Sequence, residues 1–437
     1  MENERLRRVR KTTLLHLAME AKNTLLKIEE EFPDNPAAMD YFYTLYKDVF
    51  NDEPKLPTDK KIIGTMCVQV PQELIHAVGA FPLRLCNGAS AYDQVGAEFM
   101  PAKSCPVVRA TMGMLHVDQA LWGESLQAVV IPTTCDQKKK SCQILADMGY
   151  PVYALDMPAT KESEASRFYW QESIKKFTLD MQKITGVKIT AKRVQAAIAK
   201  VASASSLYRK LQELRKSDYA LILGKDMFLV TNAYFFDEID RWQQSVSRLV
   251  AELEERKRNG FSAGKRQAPR ILFTGSPPIF PNLKVPILVE QAGGVIVADE
   301  TCSSGRLLYD SVAFDEATLN DMIPALADRS LKPCTCPCLT PNKDRLRKLI
   351  NMAKEFEADG VVYQAFSGCL PYEMEQKQVA KALAEAEVPM LYVETDYSPE
   401  DMGQLSTRIE AFIESILARR RKKKVAQLHQ KAGEEGS

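Results

Sequence analysis

This sequence lacks the features that mark a membrane protein, a secreted protein or a nucleic-acid binder. Its 437 residues contain no run of about 18 apolar residues, so no membrane-spanning helix is expected. The first residues, MENERLRRVRKTTLLHLAME, are charged and lack the apolar run of about 7–15 residues that a signal peptide needs. The chain is therefore expected in the cytoplasm. Lysine plus arginine (58) almost cancels aspartate plus glutamate (57), and a net charge of +1 creates no field that would gather nucleic acid. Aromatics are 8% of the chain and are not interleaved with basic residues. The one basic run, ARRRKKK near the end, reads as the cationic close of a helix, where positive charge favours the macrodipole.

Two motifs are missing as well. There is no C-x-x-C pair of the kind that builds local zinc sites. GFSAGKR at 260–266 lacks the spacing of a phosphate-binding loop, and Arg266 stands where Ser or Thr is needed. The chain is thus not expected to hydrolyse ATP.

What the sequence does have is an apolar fraction of 45%, enough for a proper core, and ten cysteines. In a reduced compartment a cysteine set points to metal or catalysis rather than disulfides. Any single cysteine is an ordinary small hydrophobe. The set is informative because of where its members fall.

Residues 5–31 and 37–50 have helical periodicity, within an N-terminal helical region of 1–60. Across 61–160, short apolar runs (FPLRL, AVVI, VYALD) alternate with helical segments. Residues 161–267 read as a helical connector. Residues 268–418 alternate again (RILFTGS, GGVIVAD, DGVVYQ, MLYVET), and 419–437 form a basic, polar tail. Nearly continuous apolar strands separated by helices predict parallel sheets covered on both faces. The expected fold is α/β, with two Rossmann-like parallel-sheet domains.

The two α/β stretches resemble each other. Each has a helix ending in glycine, a strand, and a loop with a cysteine: AVGAFPLRLCNG and QAGGVIVADETCSSG. Each then runs to a cysteine just past a later strand, IPTTC at Cys135 and FSGC at Cys369. Cys105 precedes Cys135 by 30 residues, and Cys338 precedes Cys369 by 31. Ligands of open α/β sheets sit at the carboxyl ends of strands. Cys86, Cys135, Cys302 and Cys369 fall there, while Cys105 and the Cys334–Cys336–Cys338 cluster fall in loops before helices. Three thiols per half are expected to converge on one site. Dispersed, thiolate-rich ligands suit an iron–sulfur cluster better than a local zinc site. Cys67 and Cys142 are expected to be packing residues.

The segments CVQVPQELIHAVGAFPLRL, SCPVVRA, IPTTCDQ, VADETCSSGR, CPCLTPN, DGVVYQAFSGCLPYE and YVETDYS resemble the 2-hydroxyacyl-CoA dehydratase and benzoyl-CoA reductase superfamily, collinearly over 61–400. The resemblance implies a [4Fe–4S] cluster on Cys105, Cys135 and Cys369. It also implies a separate ATP-hydrolysing activator, a second subunit or copy, and a small-molecule or CoA-thioester substrate. One branch of the superfamily carries a double cubane, [8Fe–9S], on six cysteines. By that resemblance the further ligands are Cys86, Cys302 and one of Cys334, Cys336 or Cys338, with Cys336 and Cys338 matching the family's CPC motif. A dehydratase subunit that eliminates water from a CoA thioester is the alternative. A cluster carrier or zinc-binding structural protein is the alternative of another class.

Weaker catalytic candidates follow from position. His76, near Glu73 on the helix leading into the first unit, is a possible proton donor, though a structural histidine is the plainer reading. Arg306, in a strand-end loop, suits an anionic substrate group or simple solvation. Glu394 and Asp396 end the last strand, as acids or helix caps.

Overall fold

A computed structural model describes residues 4–56, 58–117, 125–308 and 310–434, with side chains to 422. Two four-stranded sheets organise it. The first contains β1 (Ile62–Thr65), β2 (Phe81–Arg84), β3 (Leu126–Pro132) and β4 (Val152–Leu155), in the order β2-β1-β3-β4. The second contains β5 (Arg270–Gly275), β6 (Val295–Glu300), β7 (Gly360–Phe366) and β8 (Met390–Thr395), in the order β6-β5-β7-β8. Every pairing is parallel. The second sheet repeats the strand order of the first, so the weak internal likeness of the sequence reflects a shared topology. β1 is the strand that sequence reasoning did not name. IIGT is only four residues long and contains a glycine, yet it lies at the centre of its sheet with all four residues buried.

The strands are apolar because helices cover both faces. All seven residues of β7 and all six of β6 are buried. The long helices Glu164–Thr185, Ala191–Arg215 and Ile239–Arg258, with the shorter Gly224–Ala233, fill the region between the sheets in sequence. Ser163 and Thr190 cap the first two through their side chains, and Gly186 ends the first in a left-handed conformation. The N-terminal helices are Glu4–Glu30 and Asp40–Val49, and the last helix, Met402–Glu434, takes in the start of the basic tail.

One element ties the halves together. The helix Leu319–Leu331 follows β6, yet its Met322, Ile323 and Leu326 share a core with Ile63, Leu74 and Val130 of the first half. Trp170 donates to the carbonyl of Ala327 (3.0 Å), and Arg329 pairs with the buried Glu73 at 2.6 Å. The loop that follows, Cys334–Cys338, is thereby carried against the first sheet.

Candidate functional site

Three cysteines stand at the start of a helix. Cys135 caps Asp136–Asp147, Cys369 caps Leu370–Glu385, and Cys105 immediately precedes Pro106–Val117. The positive end of a helix and its unpaired backbone N–H groups favour a thiolate there. One glutamine holds these starts together: Gln137 accepts from the Cys105 amide at 2.7 Å and donates to the Gly368 carbonyl at 2.8 Å. Gly368 has φ of +85°, and a Cβ there would run into the Lys103 carbonyl. Only glycine lets the loop before Cys369 approach the loop before Cys105 so closely.

Across that contact the Cys105 and Cys369 thiols hydrogen-bond. The Cys369 thiol, with the backbone amides of Val108 and Val107, lowers the pKa of Cys105 against the opposing effect of burial. Cys369 is raised by the same bond and by burial. Cys135 is raised by burial and drawn back by Lys138, and it senses the charges of Cys105 and Cys336. Burial likewise raises Cys86 and pushes Cys302 up to about 11, each within electrostatic reach of Cys67. Cys334 is pushed up to about 12 by burial; its sulfur accepts from Gln69 at 2.6 Å and from the Cys336 amide. The Cys338 thiol donates to Cys336, which is lowered to about 5 with help from Arg306. Nine of the ten cysteines are thus electrostatically linked to one another, four from the first half and five from the second. Cys142 stands apart: its thiol donates back to the Lys138 carbonyl within its own helix. Cys67, expected as packing, belongs to the linked group.

Two cations reach several of these thiols, and a third, Arg84, stands beside Cys86. Lys138 anchors its ammonium on the Met66 carbonyl at 2.8 Å. Burial works against its charge, but Cys67, Cys86, Cys135 and Cys302 outweigh burial and hold it above its ordinary value. Arg306 faces Cys302 and Cys336, pairs with Glu300 at 3.2 Å, and donates to the Tyr372 hydroxyl. Sequence reasoning missed Lys138 because it opens the run KKK, which reads as a solvated face; Lys139 and Lys140 are indeed exposed.

The weaker candidates fare differently. Arg306 is not a solvated surface residue, and its side chain is 7% exposed and tied to Glu300. An open subsite for a substrate anion is therefore not what surrounds it. His76 does not face the thiols: its charged neighbours are Lys200, Lys60, Glu238 and Asp240. Burial and the two lysines lower it to about 4, in keeping with the structural reading of this histidine. Glu394 is exposed on β8 and accepts from Ser367 at 3.0 Å, two residues before Cys369. Asp396 accepts from the Ser398 amide and caps a turn. The 260–266 segment is committed to its own fold, with Arg266 bonded to the Gly260 carbonyl.

Among the described residues, no three His, Cys, Asp or Glu side chains form a group suited to a single metal ion. A single ion needs its donors drawn together around one centre.

A duplicated parallel α/β scaffold with helix-capping thiols from both halves at one junction defines the class: a two-lobed, thiol-centred α/β protein. The chain belongs to the 2-hydroxyglutaryl-CoA dehydratase, D-component family, which matches residues 67–416. It is similar to YjiM of Escherichia coli (strain K12), named as a candidate dehydratase subunit, with 29% identity over 81% of this chain and 91% of that one. It is also similar to the (R)-phenyllactyl-CoA dehydratase beta subunit of Clostridium sporogenes (25% identity; 86% and 99% covered). A benzoyl-CoA reductase subunit of Thauera aromatica is 23% identical, with 79% and 87% covered. No helix among the described residues is long and apolar enough to cross a membrane.

Proposed function

We propose that this chain is an iron–sulfur enzyme whose cysteines from both halves hold a double cubane, and that it reduces a small substrate. The observation that carries the reading is the meeting of cysteines from two topologically matched halves: Cys105, Cys135 and Cys369 stand at helix starts, and Gln137 holds the Cys105 and Cys369 loops together. The donor set fits: it is soft, Cys105, Cys135 and Cys369 sit at helix starts, and nearby cations offset the negative charge that thiolates and sulfide would bring. Cys105, Cys135 and Cys369 would hold one cubane. Cys86, Cys302 and either Cys338 or Cys336 would hold the other. Cys334, engaged by Gln69, is the least available of its cluster. When bound, the group would supply low-potential electrons.

The chain's own residues supply the rest. Lys138 and Arg306 fix positive charge against the thiolates. Gln137 holds the Cys105 and Cys369 loops at one spacing. The buried net of Glu300, Arg345 and Glu375 keeps Arg306 and the Cys334–Cys338 loop in place, with Thr335 bonded to Glu300 at 2.5 Å.

With no nucleotide-binding loop in the chain, reduction would depend on a separate ATP-hydrolysing activator. Leu370 and Met374 are 58% and 78% exposed immediately after Cys369, which suits a protein partner docking close to the thiols. A second copy or a related subunit would complete the enzyme.

The names of the relatives favour a second reading, a [4Fe–4S] subunit of a dehydratase acting on a CoA thioester. Metal analysis of the Cys86→Ala variant separates the two. Loss of about half the iron or more supports the double cubane, and unchanged iron near four per chain supports the dehydratase subunit.

A further inference from the structure

Behind Cys67, on the side of β1 and β2 turned toward Tyr234, lies a small polar cavity of about 20 Å3. It is lined by Cys67, Gln72, Arg84, Tyr234 and Arg329, among others. Three buried polar atoms there have no hydrogen-bond partner: Arg84 Nε, Tyr234 Oη and Arg329 Nε. Tyr234 is only 8% exposed. Gln72 lies beside its hydroxyl but outside hydrogen-bonding geometry. Leaving a buried donor unsatisfied is costly, more so when it is charged. Three such donors around one cavity therefore call for a guest that accepts.

Size limits the guest. One water needs about 10–15 Å3 by this measure, so the room beside these atoms suits a guest of one atom-sized centre better than sulfate, phosphate or a carboxylate. Charge then selects among such guests. The Arg329 guanidinium is matched by Glu73, which takes Nη2 on both oxygens at 2.6 and 2.7 Å. No salt bridge among the described residues joins Arg84 to a carboxylate; its guanidinium lies over the Phe235 ring at 5.0 Å and beside the Cys86 thiol, which burial keeps toward its neutral form. Burial keeps the Tyr234 hydroxyl protonated, well above its ordinary pKa. Thr65, also on the wall, has already given its hydroxyl to the Leu83 carbonyl.

We infer that this cavity is a binding site for one monatomic anion of halide size, held by Arg84, Tyr234 and Arg329 directly behind Cys67. The site fixes a negative charge against a loop of the thiol junction, and it joins β2, the helix Leu319–Leu331 and the turn after Gly224–Ala233.

The test uses crystals of the anaerobically purified protein soaked in bromide, with data collected at the bromine absorption edge. An anomalous peak within hydrogen-bonding distance of Arg84 Nε, Tyr234 Oη and Arg329 Nε is expected. Bromide on the surface only, with water or nothing in the cavity, overturns the inference. In solution, replacing gluconate by bromide at constant ionic strength should raise the thermal midpoint and saturate. Tyr234→Phe should weaken half-saturation by about tenfold, the loss of one hydrogen bond to a charged guest. Arg84→Gln should do the same. A midpoint identical in the two salts for the wild-type protein overturns the inference independently of either variant.

Discussion

Three residues after the matched helix-start cysteine of each half, the chain places a lysine in one and a tyrosine in the other: Lys138 after Cys135, Tyr372 after Cys369. The scaffold is the same, with the same strand order and the same cysteine at a helix start. The electrostatics are not. The first half supplies its positive charge directly, on a lysine that leans on a carbonyl and faces thiols. The second half supplies it from another loop, as Arg306, with Tyr372 as its prop and Glu300 as its counter-ion. Behind Glu300 stands Arg345, fully buried and shared with Glu375. A duplicated fold can thus keep its thiols in step while solving the charge problem twice. One solution is free to respond to what the thiols bind, and the other is locked into the core.

The comparison is tested most strongly at the matched cysteines. Cys135→Ser and Cys369→Ser should each remove half or more of the iron and bleach the anaerobic protein. If one variant kept its full iron content and colour, the two halves would not contribute equivalently.

The next test separates the two cations. Arg306→Met removes one of the two guanidinium partners of the buried Glu300, leaving Arg345, and should cost about 1–3 kcal/mol of stability, read by denaturant unfolding. Lys138→Met removes no carboxylate's partner and should leave stability nearly unchanged. It should instead make the reduction potential of the bound group more negative by on the order of 50–100 mV, because a nearby positive charge favours the reduced form. Equal stability losses in the two variants would erase the distinction drawn between the halves.

A smaller effect is expected where the halves touch. Gly368→Ala forces a Cβ against the Lys103 carbonyl and a left-handed backbone on alanine, at a cost of about 1–3 kcal/mol. Gly79→Ala, also left-handed but with nothing near its Cβ, should cost less. The difference in their thermal midpoints measures the closeness of the junction alone.

The smallest effect is a pH dependence that the halves share. Glu290 caps the start of Gly224–Ala233 through the amides of Gly224 and Lys225, and burial raises it to about 7. Glu20 accepts from the amides of Ser90 and Ala91, and burial raises it to about 7 as well. A carboxyl raised by folding contributes stability that is complete below its unfolded value of about 4.5 and is lost as pH rises through about 7. Glu290→Gln and Glu20→Gln should each flatten the fall of the thermal midpoint between pH 5 and 8. A slope unchanged in both variants would contradict the assignment.

Much of this was readable in the sequence, for physical reasons. Strands buried on both faces must be apolar throughout, so GVVYQAF and VIVADE declared themselves, and the cysteines past strand ends followed from the geometry of parallel sheets. β1 escaped because four residues carry too little periodicity to stand out. Lys138 escaped because the inward residue of a lysine run looks like its exposed neighbours. For His76 the sequence left two readings open, because proximity in sequence to a site says nothing of the side a short helix presents. The passage of Leu319–Leu331 to the first half was invisible, since its apolar stripe would fit either core.

Iron and acid-labile sulfide per chain, measured on protein purified without oxygen, test the central claim most directly. A double cubane held by thiols of both halves predicts about eight irons and about nine sulfides per chain. About four irons, or zinc in place of iron, would contradict it.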